Sequence, residues 1–386
     1  MSVTGCWSFA IFNIGVVVLI VCFFAIRLLD RAPSFFDIFL DITLLAHYGA
    51  AILSAVHSTD PAMSLQGLQK LGRYLLLFIT VREFITTEKT VKTITLLLIT
   101  GGTVASLDAV SQYVFGQDFL MCRTPFLSMT DLIRLSGPFS NPNAFAIYLS
   151  FLIPLTGALL LARKKHSLWL SVPLSLMLFS VVMTFSRPAA IGIAFAGLLI
   201  ILMKRLYWVI PAVLVMMIPA AFFLPAEVKI WLSNLGTWKS FFYDISRNFH
   251  HLAAWNMIHA HPWFGVGVNT FDVNYNHFKA SGDTVTRWSA HQTYLQIWAE
   301  MGLAGLLTFF MILAGIFSLS IKSYRGCKDL LVKQILVGFM GGAVAFLIIG
   351  CFESDLWQPR QTYFFWFFTG ILCGIAKWVK MQNELR

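Results

Sequence analysis

Apolar runs long enough to cross a bilayer alternate along the chain with short polar breaks. Eleven of them fall near residues 7–28, 35–56, 68–84, 92–114, 143–162, 168–184, 188–203, 206–224, 291–321, 331–352 and 361–379. A spanning helix needs ~20 mostly apolar residues, whereas barrel strands alternate over ~10. A helix also satisfies every backbone group where no water is present. The pattern predicts an all-α polytopic membrane protein of about 11–12 transmembrane helices, built as a single integral membrane domain over residues 1–386.

Two polar stretches interrupt the pattern. Residues 115–142 are rich in turn formers and lead into Arg134-Leu-Ser-Gly-Pro-Phe-Ser-Asn-Pro-Asn143. Residues 225–290 are longer, and with His291 they hold six of the nine histidines: His250, His251, His259, His261, His277 and His291. Within this segment, 226–245 carries Trp231, Trp238, Phe241 and Phe242 among polar residues and predicts an amphipathic interfacial helix. Residues 247–260 predict a second helix, ended by Pro262, Gly265 and Gly267, and 268–290 predict a polar loop. Loops of this length commonly serve as lids or binding elements.

The chain is 58% hydrophobic and 12% charged, which excludes an ordinary soluble domain. Its net charge of +10 would suggest nucleic acid in a soluble protein. Here the basic residues fall in short loops, so membrane orientation explains them and no nucleic-acid partner is expected. With eleven spans and the N-terminus outside, 17 of the 28 basic residues lie on the cytoplasmic side, Arg82 and Lys377 among them. Six lie in short outer loops: Lys70, Arg73, Arg123, Arg134, Arg187 and Arg360. This bias places the 225–290 segment on the outer face, which is the periplasm if the source is a Gram-negative bacterium. The first apolar run lacks a basic leader and is followed by Arg27 and Arg31, as suits a retained first span. The six cysteines are scattered without metal-like spacing and read as small apolar fillers.

A few positions are candidates for chemistry. Arg187 precedes Pro188 at the start of a span, where free N–H groups and the helix dipole favour an anion. The alternative is an arginine snorkelling to lipid headgroups. Arg247 opens the 247–260 helix, and a solvated surface residue is the simpler reading of it in isolation. His291 opens the ninth span, as an ordinary helix-start residue or as a general base. Glu300, nine residues on, reads as a buried carboxylate bonded between helices. Glu353 and Asp355 follow the tenth span and are placed to orient a histidine, hold an arginine or sit solvated. The histidines do not form a metal motif, since His250 and His251 diverge by about 100° on a helix and no His-Glu-x-x-His pairing occurs.

Four segments, in order, resemble the O-antigen ligase and polymerase superfamily, membrane enzymes that handle polyprenyl-diphosphate-linked glycans. Residues 134–148 resemble its Arg…Gly…Asn-x-Asn stretch, and 184–187 its Thr-x-Ser-Arg. Residues 247–271 resemble its arginine-led helix ending in Pro-x-x-Gly-x-Gly-x-x-x-Phe, and 291–305 its His-Asn-x-Tyr-Leu…Glu-x-Gly-x-x-Gly. The chain departs from the pattern at Gln292, where asparagine is usual, and at Pro188, where a small residue is common.

The resemblance implies a GT-C-like fold with one long helical periplasmic loop. It implies a glycosyltransferase that moves an undecaprenyl-diphosphate-linked glycan onto a sugar hydroxyl of lipid A-core, or onto another lipid-linked glycan if the chain is a polymerase. Arg187 and Arg247 would hold the diphosphate and His291 would deprotonate or orient the acceptor hydroxyl. Asp355, Arg134, Asn143 and Gln292 would support them. No metal, nucleotide or other cofactor is implied. Outside this superfamily, the competing reading is a polysaccharide flippase or another transporter.

Overall fold

The computed structural model describes residues 37–127, 133–162, 165–208, 245–283 and 289–384, with five single positions before residue 37. The expected spans at 7–28 and 206–224 and the interfacial helix at 226–245 lie essentially outside the described residues, as does Arg287. The described residues form eleven α-helices: α1 (Ile38–Val56), α2 (Pro61–Phe84), α3 (Glu88–Phe115), α4 (Pro142–Leu160), α5 (Ser171–Met183), α6 (Arg187–Lys204), α7 (Ile245–Ala260), α8 (Phe271–Phe278), α9 (Thr293–Gly326), α10 (Leu330–Ile349) and α11 (Pro359–Glu384). Two-residue strands β1 (Phe126–Leu127) and β2 (Ile133–Arg134) pair antiparallel between α3 and α4. Helices α1, α3, α4, α6, α9, α10 and α11 are long and apolar enough to cross a membrane. The protein is all-α, as the hydropathy pattern predicts.

Hydropathy misplaces one helix start. Asp60 and Pro61 begin α2 well before the apolar run at 68: Asp60 Oδ1 accepts from Met63 N at 3.0 Å and Pro61 occupies the first turn. Lys70 and Arg73 are therefore on a helix, not in an outer loop. Arg82 is likewise not a loop charge. It is 4% exposed inside α2 and bonds Asp41 Oδ1 of α1 at 2.5 Å, while its neighbour Glu83 bonds buried Lys377 Nζ of α11 at 2.6 Å. Two acids against two bases leave this buried group without net charge, and full pairing is the condition under which such residues are tolerated among apolar helices.

The chain divides into two compact units. The first holds α3, α4, α5, α6 and α10. Helix α10 packs on α4 and α6, and it presents Gly338 and Gly342 to α4. A Cβ at these positions would lie 2.6 Å from Leu155 Cα and 2.9 Å from Phe151 O, so the four-residue spacing of small residues lets the two backbones meet.

The second unit holds α1, α2, α7, α8, α9 and α11, with α9 packed on α1 and α11, and α11 on α2. Its centre is a break in α9. Gly302 has φ +66°, which interrupts the helix and exposes backbone groups on both sides. The His-Pro-Trp-Phe-Gly-Val-Gly loop satisfies them. Leu303 N donates to Pro262 O at 2.8 Å, while Val266 N and Gly267 N donate to Ala299 O and Glu300 O at 2.9 and 3.1 Å. Gly265, at φ +72°, lies so close that a Cβ there would sit 2.3 Å from the Glu300 carbonyl. Gly265→Ala should destabilise the fold by ~1–2 kcal/mol from the left-handed backbone alone, with the clash in addition. A lower thermal unfolding temperature of the purified protein would show it.

Candidate functional site

Helix α7 and the chain after it form a small core of their own. Ala253, Ala254, Met257 and Ile258 recur at helical spacing and are buried against Val266, Phe271, Tyr275 and Ala299. The stretch expected as a loop after 268 contains α8, because Phe271 and Tyr275, one turn apart, both need burial. Glu300 ties this arrangement together. It is fully buried and accepts from Asn269 N, Phe271 N, Gln296 Nε2 and Trp357 Nε1 at 2.5, 3.1, 3.0 and 2.8 Å. The bonded structural carboxylate foreseen from the sequence is what the fold contains.

The start of α9 is laced to the segment between α10 and α11. Thr293 N donates to Gly350 O and Thr293 Oγ1 to Glu353 O, both at 2.8 Å. Gln292 N donates to Ser354 Oγ at 3.0 Å, and Asp355 N to Thr293 Oγ1 at 3.2 Å. The Gln292 side chain caps the helix, its Oε1 accepting from Leu295 N at 2.7 Å. Immediately before the cap, His291 holds a left-handed backbone at φ +51°. Non-glycine residues adopt that conformation when their surroundings over-determine it, and such sites cluster at functional positions.

That lacing brings Glu353 between two of the expected site residues. Its Oε1 lies 3.3 Å from Arg247 NH2 and its Oε2 3.6 Å from His291 Nδ1. Arg247 also donates through NH1 to Phe352 O at 3.3 Å. The side chains are only 36%, 15% and 22% exposed for Arg247, Glu353 and His291. Pairs this accessible contribute ~0–1 kcal/mol to stability, so their main consequence is orientation. The His250 ring lies 5.1 Å from that of His291 and 5.4 Å from that of Tyr275. Burial, and then the positive fields of Arg247 and His291, hold His251 below the usual imidazole range. A guanidinium and an imidazole joined through one carboxylate can bind an anion and handle a proton side by side.

Asp355 sits differently. It is 3% exposed, and its Oδ2 has no hydrogen-bond partner among the described residues. Burial, and then the neighbouring charge of Glu353, push its carboxyl well above the usual range. A raised folded-state value means that Asp355 costs stability as pH rises from the unfolded carboxylate range towards the folded one. Asp355→Asn should therefore preserve the fold and flatten that decline, measured as unfolding temperature against pH.

The first unit assembles another part. Arg134, on β2, donates through Nε to Thr184 O and through NH2 to Asn143 Oδ1, both at 2.7 Å, and Leu135 N donates to Met183 O at 2.9 Å. Arg134 and Asn143 thus brace the Thr-Phe-Ser-Arg turn. That turn carries Phe185 at φ +51°, and Arg187 and Pro188 follow as the first residues of α6. Arg187 is half-buried. It belongs to the first unit, whereas Arg247, His291, Gln292 and Asp355 belong to the second.

The sequence anticipates Arg247, His291 and an acid after the tenth span, but not the division of labour between the two acids. Glu353 makes the contacts and Asp355 is enclosed. The role of Thr293 and Ser354 in holding them leaves no sequence signal, since both are common at helix starts and turns. The other histidines pack on rings: His259 on Trp255 at 5.3 Å, His277 on Phe278 at 4.9 Å and His261 on Phe278 at 6.3 Å. Among the described residues no three of His, Cys, Asp and Glu gather as a metal ion would require.

The family model described as O-antigen ligase matches residues 172–310 of this chain. Arg187, Arg247 and His291 lie inside the matched stretch, as do the glycine loop and the α9 break it docks on. The match supports the O-antigen ligase and polymerase superfamily, and with the apolar helices it indicates a multi-pass membrane protein. No curated protein matches the chain.

Proposed function

We propose that the protein is an inner-membrane glycosyltransferase of the O-antigen ligase type, moving a glycan from undecaprenyl diphosphate to a sugar hydroxyl of lipid A-core at the periplasmic face. The observation that carries this reading is the Arg247–Glu353–His291 constellation, inside or beside the matched family stretch. The donor arrives with a good leaving group, so catalysis needs stabilisation of diphosphate charge and a base. Arginine suits the first task because its planar fork grips phosphate oxygens and keeps its charge. Arg247 and Arg187 take that role and need no metal to share it. His291, steered by Glu353, receives the acceptor hydroxyl's proton. The acceptor oxygen then bonds to the anomeric carbon as the carbon–oxygen bond to the diphosphate breaks, inverting the configuration. Residues 245–283, the described part of the expected 225–290 lid, carry Arg247 to this chemistry.

A deletion strain tests the reading through its lipopolysaccharide profile. Loss of all polymeric side chains, with long lipid-linked polymer accumulating, is expected. A core carrying a single repeat unit would instead identify a polymerase joining lipid-linked repeats. A lipopolysaccharide pattern like that of the parent would remove both.

A further inference from the structure

Glu353 alone does not fix the orientation of His291. The 3.6 Å contact between Glu353 Oε2 and His291 Nδ1 is longer than a hydrogen bond, so it attracts the ring without setting its rotation. The last torsion of a histidine side chain is broad and soft, and no narrow rotamer well holds the ring plane. The left-handed backbone at φ +51° determines where the side chain starts, not how its ring turns. A proton acceptor must present one nitrogen at one place, and a misplacement of about 1 Å can cost ~10²-fold in rate.

His250 supplies the second constraint. It follows Arg247 by three residues on α7, so the two share a face of that helix. Its ring lies 5.1 Å from the His291 ring at an angle of 40°, within the range of packed aromatic pairs and close enough to obstruct rotation of that ring. His250 is itself immobilised. It is 3% exposed, and the Tyr275 ring lies 5.4 Å from it. Tyr275 is fully buried on α8, and its hydroxyl donates to Asp283 Oδ2 at 2.5 Å. Burial, and then Asp283, push the Tyr275 phenol well above its usual range, so it keeps its proton and the bond. Asp283, Tyr275, His250 and His291 thus form one continuous line of side chains inside the second unit.

We propose that His250 is a positioning residue for His291. It restrains the imidazole that Glu353 only attracts, and Tyr275 with Asp283 holds the His250 ring in place. Because Arg247 and His250 ride on one helix, α7 sets the anion-holding group and the proton acceptor together. The proposal rests on the transfer reading for what the orientation achieves, but the orientation is measurable without any transfer. A residue that only filled the core would, when removed, lower stability and leave His291 ordered in the folded protein.

The test compares wild type, H250A and H250F as detergent-purified full chains. Ring signals of isotope-labelled histidines are recorded by NMR below the unfolding temperature of each variant, and the His291 signal is identified by its loss in His291→Asn. Wild type should give one sharp His291 signal and H250A a broadened or split one. H250F, which keeps a ring at the position and drops the nitrogens, should restore the sharp signal. Transfer rates follow on the same preparations. In H250A, kcat should fall ~10–10²-fold with KM nearly unchanged, the signature of a misplaced reacting group. H250F should recover most of that loss. A His291 signal as sharp in folded H250A as in wild type would overturn the proposal. So would H250F transferring as slowly as H250A, which would mean that the His250 nitrogens and not its ring are what the site uses. Absence of transfer from wild type would fault the transfer reading alone and leave the ring signals to decide the positioning role.

Discussion

Replacing His291 with alanine is expected to lower glycan transfer by ~10²–10⁴-fold, the usual contribution of a positioned proton acceptor. Membrane insertion and folding should be retained, because the side chain contributes orientation rather than core packing. The backbone supports this expectation: His291 is held left-handed immediately before the capped start of α9. Glu353→Gln should cost less, roughly 10²-fold, the order expected from a small misplacement of a reacting group. It keeps the shape but removes the charge that faces both Arg247 and His291. Because one carboxylate serves both partners, Glu353→Gln and Arg247→Ala should combine non-additively in a double-mutant cycle. Steady-state transfer rates of the four variants would decide this. Additive effects would mean that the contacts do not act as a unit.

The second large effect is expected at Glu300. Alanine there leaves two backbone N–H groups, the Gln296 amide and the Trp357 indole without their acceptor. A buried polar group left without a partner costs ~1–3 kcal/mol, so a loss of at least roughly 3 kcal/mol follows from the four together. Glu300→Gln should fall between, retaining one acceptor oxygen while turning an amide toward donors. Thermal unfolding and limited proteolysis of the 262–271 loop are the measurements. Wild-type stability in Glu300→Ala would refute the view that this carboxylate organises the second unit.

Much of this architecture is legible in the sequence because lipid imposes a simple rule on apolar run length. Most described helices fall where the runs predict, and Pro262 and Glu300 occupy the places their types suggest. The misreadings share a cause, which is that hydropathy reports polarity and not pairing. Arg82 and Lys377 resemble loop charges until Asp41 and Glu83 are seen to neutralise them inside the helices. The Asp-Pro cap starts α2 seven residues before its apolar run. Helix α8 hides in a polar stretch because only two of its aromatic residues need burial. The break at Gly302 is invisible within an apolar run, and it is what admits the glycine loop.

The central claim is that this chain joins a lipid-linked glycan to an acceptor through His291 and the arginines. The most direct measurement is reconstitution of the purified protein with an undecaprenyl-diphosphate-linked glycan and lipid A-core, following both products. Glycosylated acceptor and free undecaprenyl diphosphate should appear in equal amounts with wild type and be lost with His291→Ala. Movement of the donor across the bilayer without transfer, equally in both proteins, would contradict the account.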